Sequence, residues 1–197
     1  MKPVVLASQS QSRAALLSAA GVRFSKISSG VDETLIKDRM LAEGASPLQI
    51  AQALGEAKAV AVSAHTQGLV IGADQTLELD GKLYDKADSL AEARERLLAF
   101  RGRTHQLHGG LTLAEDGVAI WRHTESSSLT VREFSDAFLD DYLDRHGQAV
   151  LSSVGCYHLE GAGAQLFERT EGDYFAILGL PLLPLLAALR ERGAITA

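Results

Sequence analysis

Asp74 closes the run Ile71-Gly72-Ala73-Asp74-Gln75, where an apolar stretch turns polar. A carboxylate at the end of a buried strand can bind a cation or take a proton from water; the plainer alternative is a local turn bond. Asp32 and Glu33, in Val31-Asp32-Glu33-Thr34, offer the hard oxygen ligands that Mg²⁺ or Mn²⁺ accept, or simply a solvated loop. In Leu6-Ala7-Ser8-Gln9-Ser10-Gln11-Ser12-Arg13, serine hydroxyls, a helix start and a planar guanidinium stand together. These groups hold phosphate oxygens well; alternatively one serine caps the helix and Arg13 lies on the surface. Lys58 and Lys86 could each neutralise phosphate, although most lysines are solvated. The P-loop pattern is absent, as are Gly-x-Ser-x-Gly and His-Glu-x-x-His.

The remaining candidates are weaker. His105 and His108 sit three apart on an expected strand, so they face opposite sides and make no zinc pair. Cys156 and His158 could share a face, but no histidine–acid pair is indicated and they read as packing residues. The runs Leu159 to Ala164, Glu171-Gly172-Asp173-Tyr174 and Gly179-Leu180-Pro181 carry closely spaced glycines. Such glycines let the backbone approach a ligand or form packed turns.

These residues need a scaffold. Residues 3–7 read as a buried strand, and Arg13 to Ala20 as a helix stopped by Gly21. Residues 22–28 suit a second strand and 29–45 a loop. Ser46-Pro47-Leu48-Gln49 is a capping box with proline at the first helical position, opening a helix to about Ala64. A strand covers 69–73 and continues extended to Leu79, where Asp80-Gly81 makes a hairpin turn. A second capping box at Ser89-Leu90-Ala91-Glu92 opens a helix to Phe100. Strands over 104–114 and 118–131, a helix over 136–145, an extended glycine-punctuated stretch over 149–178 and a helix from Pro181 to Arg192 complete the chain. Strands alternating with helices give an α/β class, and the hairpins make the sheet mixed.

The 197 residues are 46% hydrophobic and 22% charged, an ordinary globular composition that needs no disulfide for stability. The lone Cys156 excludes an intrachain disulfide framework and points to a reducing, cytoplasmic compartment. The start turns polar at Ser8, so no secretory signal is expected, and no apolar run is long enough to span a membrane. The net charge of −6 argues against a nucleic-acid binder. All six lysines lie in the first 86 residues, whereas from residue 101 onward eight arginines face thirteen acids. An anionic ligand would belong to the first half, unless the bias is mere drift of surface composition.

Taken in order, these segments resemble the Maf family of nucleoside triphosphate pyrophosphatases. The resemblance is carried by Leu6 to Arg13, Val31-Asp32-Glu33-Thr34, Ala57-Lys58-Ala59, Ile71 to Gln75, Asp85-Lys86, Gly102-Arg103-Thr104-His105, Glu160-Gly161-Ala162-Gly163, and Glu171 through Leu182. It covers nearly the whole chain as a single Maf-like domain over 1–197. It implies a mixed α/β fold with two lobes around a deep groove, similar in architecture to the inosine triphosphate pyrophosphatases and often a homodimer. The implied reaction hydrolyses a nucleoside triphosphate to monophosphate and pyrophosphate with a divalent cation, Mg²⁺, Mn²⁺ or Co²⁺. By resemblance, Asp74 matches the proton acceptor that activates water for attack at the α-phosphorus, and Glu33 an acidic residue near the metal. Ser8, Arg13, Lys58 and Lys86 match the triphosphate-binding groups.

The chain departs from the family pattern in places. The first loop usually reads Ser-Pro-Arg-Arg or Ser-Pro-Trp-Arg; here it is Ser10-Gln11-Ser12-Arg13, and Ser12 takes a position tied to substrate choice. Gln75 and Glu160 together look like the 7-methyl-GTP branch rather than the dTTP/UTP branch, and a Glu can accept from guanine N1–H and N2–H₂. Ser152-Ser153-Val154-Gly155 replaces an Asp-Lys-Ala-Gly run, removing a lysine that could serve phosphate. Two other readings stay open: a purine-selective house-cleaning pyrophosphatase, and a non-catalytic nucleotide-binding regulator of septum formation.

Overall fold

A computed structural model describes residues 1–196. It contains seven strands: β1 (Val4–Leu6), β2 (Ser25–Lys26), β3 (Leu69–Leu79), β4 (Lys82–Tyr84), β5 (Thr104–Glu115), β6 (Val118–Val131) and β7 (Phe167–Glu171). Seven α-helices accompany them: α1 (Gln11–Ala19), α2 (Glu33–Ala42), α3 (Pro47–Ser63), α4 (Leu90–Phe100), α5 (Asp136–His146), α6 (Tyr174–Ile177) and α7 (Leu182–Glu191). The strand order is β2-β1-β3-β5-β6-β7, with β4 added on β3. β1 runs parallel to β2 and β3, while β4 is antiparallel to β3 and β7 to β6. The sheet is therefore mixed and the class α/β, as the alternation of patterns predicts.

The chain forms two compact units. The first comprises Met1–Gln75, His108–Ser126 and the chain from Asp173 on; the second comprises Thr76–Leu107 and Ser127–Gly172. In the first unit, alternate residues of β1 and β3 divide between two layers. Leu6, Leu69, Ile71 and Ala73 join Leu17, Leu111, Leu180, Leu185 and Leu189 in one core. Val5, Ala7, Val62 and Val70 form the other. This two-residue alternation is why β3 is buried on both faces.

In the second unit, α4 and α5 each open on a serine whose hydroxyl accepts a backbone N–H three residues on, from Glu92 and Phe138 respectively. The capping box expected at Ser89 is displaced: the Glu92 carboxylate accepts from the N–H of Asp88, at 2.9 Å, rather than from that of Ser89. His105 is fully buried, stacked on Phe100 with its Nε2 2.6 Å from the Tyr157 hydroxyl. His108, three residues on, is half-buried and pairs instead with Ser126.

Two stretches differ from expectation. Residues 33–42, expected to be loop, form α2. No residue of α2 is buried, so it carries no apolar stripe from which periodicity could be read. Its signals are polar: Asp32 accepts from the Leu35 N–H at 3.0 Å, Glu33 stands in the first turn and Arg39 in the last. Residues 149–178 are not simply extended, because 3₁₀ turns occupy Gly147–Ser152 and Ala162–Leu166 before β7 and α6. Two of the glycines there serve close packing on the chain itself. A Cβ on Gly155 would stand 2.2 Å from the Tyr157 ring, and one on Gly163 2.5 Å from the His158 carbonyl oxygen.

Candidate active site

Parallel pairing brings the first two elements of the site to one end of the sheet. β1 is in register with β3 from Val4↔Leu69 to Leu6↔Ile71. The loop leaving β1 at Ala7 and Ser8 and the β3 residues past Ile71 therefore emerge together. Asp74 is not at the end of its strand, as the apolar run suggested; β3 continues to Leu79. It lies three residues past the parallel pairing because β1 is only three residues long.

Consecutive residues of a strand face opposite ways. Val70, Gly72 and Asp74 face α3, and Gln75 faces α6. A Cβ on Gly72 would lie 2.2 Å from the Gly55 carbonyl oxygen and 2.5 Å from the Ala59 nitrogen, so the α3 backbone rests directly on the strand. One turn beyond Gly55, the Lys58 ammonium reaches Asp74 Oδ1 at 2.6 Å and Glu33 Oε2 at 2.8 Å. The side chains of Lys58 and Asp74 are 8% and 13% exposed, whereas Glu33 is 51% exposed. The acidic pair of the α2 start thus divides its work. Asp32 caps the helix, and Glu33, the next residue, turns to Lys58.

The serine-rich loop is also built from local rules. Ser10 caps α1 by accepting from the Arg13 N–H at 3.3 Å, so the helix begins at Gln11, two residues earlier than expected. Buried Ser8 accepts from the Ser10 N–H at 3.2 Å and from Arg13 Nη1 at 3.3 Å. Arg13 Nε donates to the Gly179 carbonyl at 2.8 Å. Burial pushes the Arg13 guanidinium below its ordinary value, and the nearby charges of Asp74 and Glu33 oppose that shift. Gln75 Nε2 donates to the carbonyls of Ala176, at 2.9 Å, and Ile177, at 3.3 Å. Gly179 holds φ +96°, and a Cβ there would sit 3.5 Å from Arg13 Nε and 3.9 Å from Gln75 Oε1. Ser12 is half-buried in the first turn of α1.

Ser8, Ser12, Arg13, Glu33, Lys58, Asp74 and Gln75 all belong to the first unit. Lys86 and Glu160 belong to the second. Lys86 is exposed in the segment between β4 and α4, and Glu160 is exposed with Oε1 3.9 Å from His158 Nδ1. Sequence reasoning missed Gly55 and Gly110 and the packing role of Gly72. Gly110 lets β5 meet α3, since its Cβ would lie 2.4 Å from backbone atoms of Ala51 and Gln52. An isolated glycine inside a helix or strand pattern is the signal that could have found them.

The arrangement presents carboxylate oxygens, an ammonium, a guanidinium and the N-terminal end of α1 in one unit. Glu33 and Asp74 already converge on one cation, Lys58. Among the described residues no group of three His, Cys, Asp or Glu could hold a metal alone. Two carboxylates completed by substrate phosphate oxygens and water are the donor set Mg²⁺ takes in nucleotide sites, so these residues fit a divalent cation that arrives with a phosphate ligand. No helix among the described residues is long and apolar enough to cross a membrane.

The chain is similar to known proteins along nearly its whole length. A family model described as Maf-like protein matches residues 3–192. A protein of Caulobacter vibrioides named nucleoside triphosphate pyrophosphatase is 58% identical over 196 residues, covering 100% of this chain and 98% of its own. One of Maricaulis maris with the same name is 54% identical over 198 residues, covering 99% of each. A protein of Rhizobium meliloti named 7-methyl-GTP pyrophosphatase is 48% identical over 199 residues, covering 100% of each.

Proposed function

The chain belongs to the Maf family, and from that premise we propose that it hydrolyses a nucleoside triphosphate to monophosphate and pyrophosphate, using Asp74 to take the proton of the attacking water. The observation that carries this reading is the convergence of Asp74 and Glu33 on Lys58 Nζ, at 2.6 and 2.8 Å.

The chemistry needs an oriented water, charge neutralisation on the triphosphate and a fixed geometry. Asp74 Oδ1 is held by Lys58, and a carboxylate retains further lone pairs for a water. That water attacks the α-phosphorus, the bond to the bridging oxygen breaks, and pyrophosphate leaves. Arg13 and Ser8 bind phosphate oxygens beside the start of α1, whose positive dipole end favours an anion. Arg13 is pre-oriented by Gly179, which leaves the fork little rotamer freedom to lose. Lys58 supplies positive charge from a buried position. Glu33 and Asp74 would hold Mg²⁺, Mn²⁺ or Co²⁺. A divalent cation bound there supplies Lewis-acid stabilisation of charge on the phosphates.

The resemblance assigns Lys86 to the triphosphate and Ser12, Gln75 and Glu160 to base choice. Gln75 holds the α6 turn through its amide nitrogen, which fixes the position of its Oε1. A 7-methylguanine carries positive charge, which the Glu160 carboxylate complements while accepting from N1–H and N2–H₂. 7-Methyl-GTP is therefore the substrate class this reading favours.

Pyrophosphate release is measured with Mn²⁺ or Mg²⁺ across GTP, 7-methyl-GTP, ITP, UTP, dTTP and CTP. Turnover led by 7-methyl-GTP is the expected result. Preference for ITP would replace this base assignment with the house-cleaning role. Binding without turnover of any triphosphate, by folded protein, would overturn the catalytic reading in favour of a nucleotide-binding regulator.

A further inference from the structure

The second unit holds a buried polar cluster that the proposed chemistry does not use. Arg96, on the inner face of α4, is 6% exposed. Its Nη1 donates to the Asp85 carbonyl and, at 2.6 Å, to the Val154 carbonyl. Its Nη2 donates to Glu92 Oε1 at 2.7 Å, and its guanidinium lies 5.4 Å from the centre of the Tyr84 ring. The other oxygen of Glu92 accepts from the Asp88 N–H at 2.9 Å. Cys156 is fully buried and holds φ +60°, in the left-handed region that few non-glycine residues adopt. Burial pushes its thiol up.

These contacts fall on one short segment. Tyr84 packs edge-on to Phe100 at 5.1 Å, and the backbone at Asp85 and Asp88 is tied in turn to Arg96 and Glu92. The residue left between the ties is Lys86, exposed to solvent. Nη1 of this buried guanidinium is satisfied by two backbone carbonyls, while Nε is buried without a partner. We propose that Arg96, with Glu92, is a positioning group for Lys86: it fixes the backbone on both sides of that lysine so that the ammonium is presented to the triphosphate without first ordering a loop. The inference rests on the reading of Lys86 as a triphosphate-binding residue. Arg96 is buried and acts through that backbone.

The test is a kinetic double-mutant cycle on the full chain, with pyrophosphate release from 7-methyl-GTP, or the best triphosphate of the panel, followed to saturation. Lys86→Ala should raise KM about tenfold, the effect of losing one charge-assisted phosphate contact. Arg96→Met should raise KM by a similar factor, and Arg96→Lys should recover part of the loss. Arg96→Met combined with Lys86→Ala should be no worse than Lys86→Ala alone, because the positioned group is gone. Multiplying effects would overturn the proposal, as would an Arg96→Met loss confined to kcat, which reports fewer folded molecules. Unchanged KM in Lys86→Ala would overturn the reading of Lys86 itself, and the proposal with it. If Arg96→Met does not fold, Arg96→Lys and Glu92→Ala carry the same cycle; Glu92→Ala releases the Asp88 N–H from the exposed side of the cluster.

Discussion

Gly72 of β3 and Gly55 of α3 meet backbone to backbone: a Cβ on Gly72 would stand 2.2 Å from the Gly55 carbonyl oxygen. Two residues along the strand and one turn along the helix, on the same facing sides, stand Asp74 and Lys58. The glycine contact therefore sets the height of the helix above the sheet, and that height allows a 2.6 Å ion pair.

Gly72→Ala forces α3 away from β3. The expected cost is about 1–3 kcal/mol, the usual range for overpacking a dense interior. It should lower the urea midpoint and, in molecules that remain folded, reduce turnover by separating Lys58 from Asp74. An unchanged midpoint with full activity would show that the helix is not seated on the strand.

Asp74→Asn keeps the shape of the side chain and removes its basicity. Turnover should fall by about 10²–10⁴-fold, the contribution of a positioned general base. Titration calorimetry with a non-hydrolysable triphosphate should still detect binding. Rates like those of the wild type would remove Asp74 from the role of base.

Glu33→Gln leaves the folded core untouched, since Glu33 lies on the solvent side of Lys58. It should raise the Mn²⁺ concentration needed for half-maximal rate by about tenfold, with the rate restored at saturating metal. Identical metal titration curves for the two proteins would exclude Glu33 as a ligand.

Arg13→Lys retains the charge but not the fork that bonds Gly179 and Ser8 at once. KM for the triphosphate should rise about tenfold. A KM within a factor of two of the wild type would mean that Arg13 ties the loop to the Gly179 turn and does nothing for phosphate.

Burial lowers the His105 pKa from 6.5 to about 4. Its Nδ1 is buried without a partner, so protonation in the folded protein has nothing to offset it. The unfolded chain binds this proton from about pH 6.5 downward and the folded chain does not. Stability is therefore complete above pH 6.5 and declines as pH falls toward 4, by up to about 3 kcal/mol from this residue. Urea midpoints measured from pH 7 to 4 should show that slope, and His105→Gln should flatten it. Equal acid slopes in the two proteins would show that His105 protonates freely in the fold.

Local rules left clear marks in the sequence. The capping box at Ser46, the Asp80-Gly81 turn, the apolar run of β3 and the helix-stopping Gly21 each act over a few residues and match what the chain forms. The residue types of the proposed site were visible too, as hydroxyls, a guanidinium, carboxylates and an ammonium at Ser8, Arg13, Glu33, Lys58 and Asp74. The helix at residues 33–42 was hidden because it buries nothing. The pairings were decided only by tertiary structure. Whether Lys58 would meet Asp74 depends on the separation of α3 from β3. That separation is set by glycines remote in sequence. The same holds for Arg96, an arginine in a helix pattern like many others until packing surrounds it with the carbonyls of Asp85 and Val154. Hydrophobic periodicity records which face of an element is inward; it carries no record of which polar group waits there.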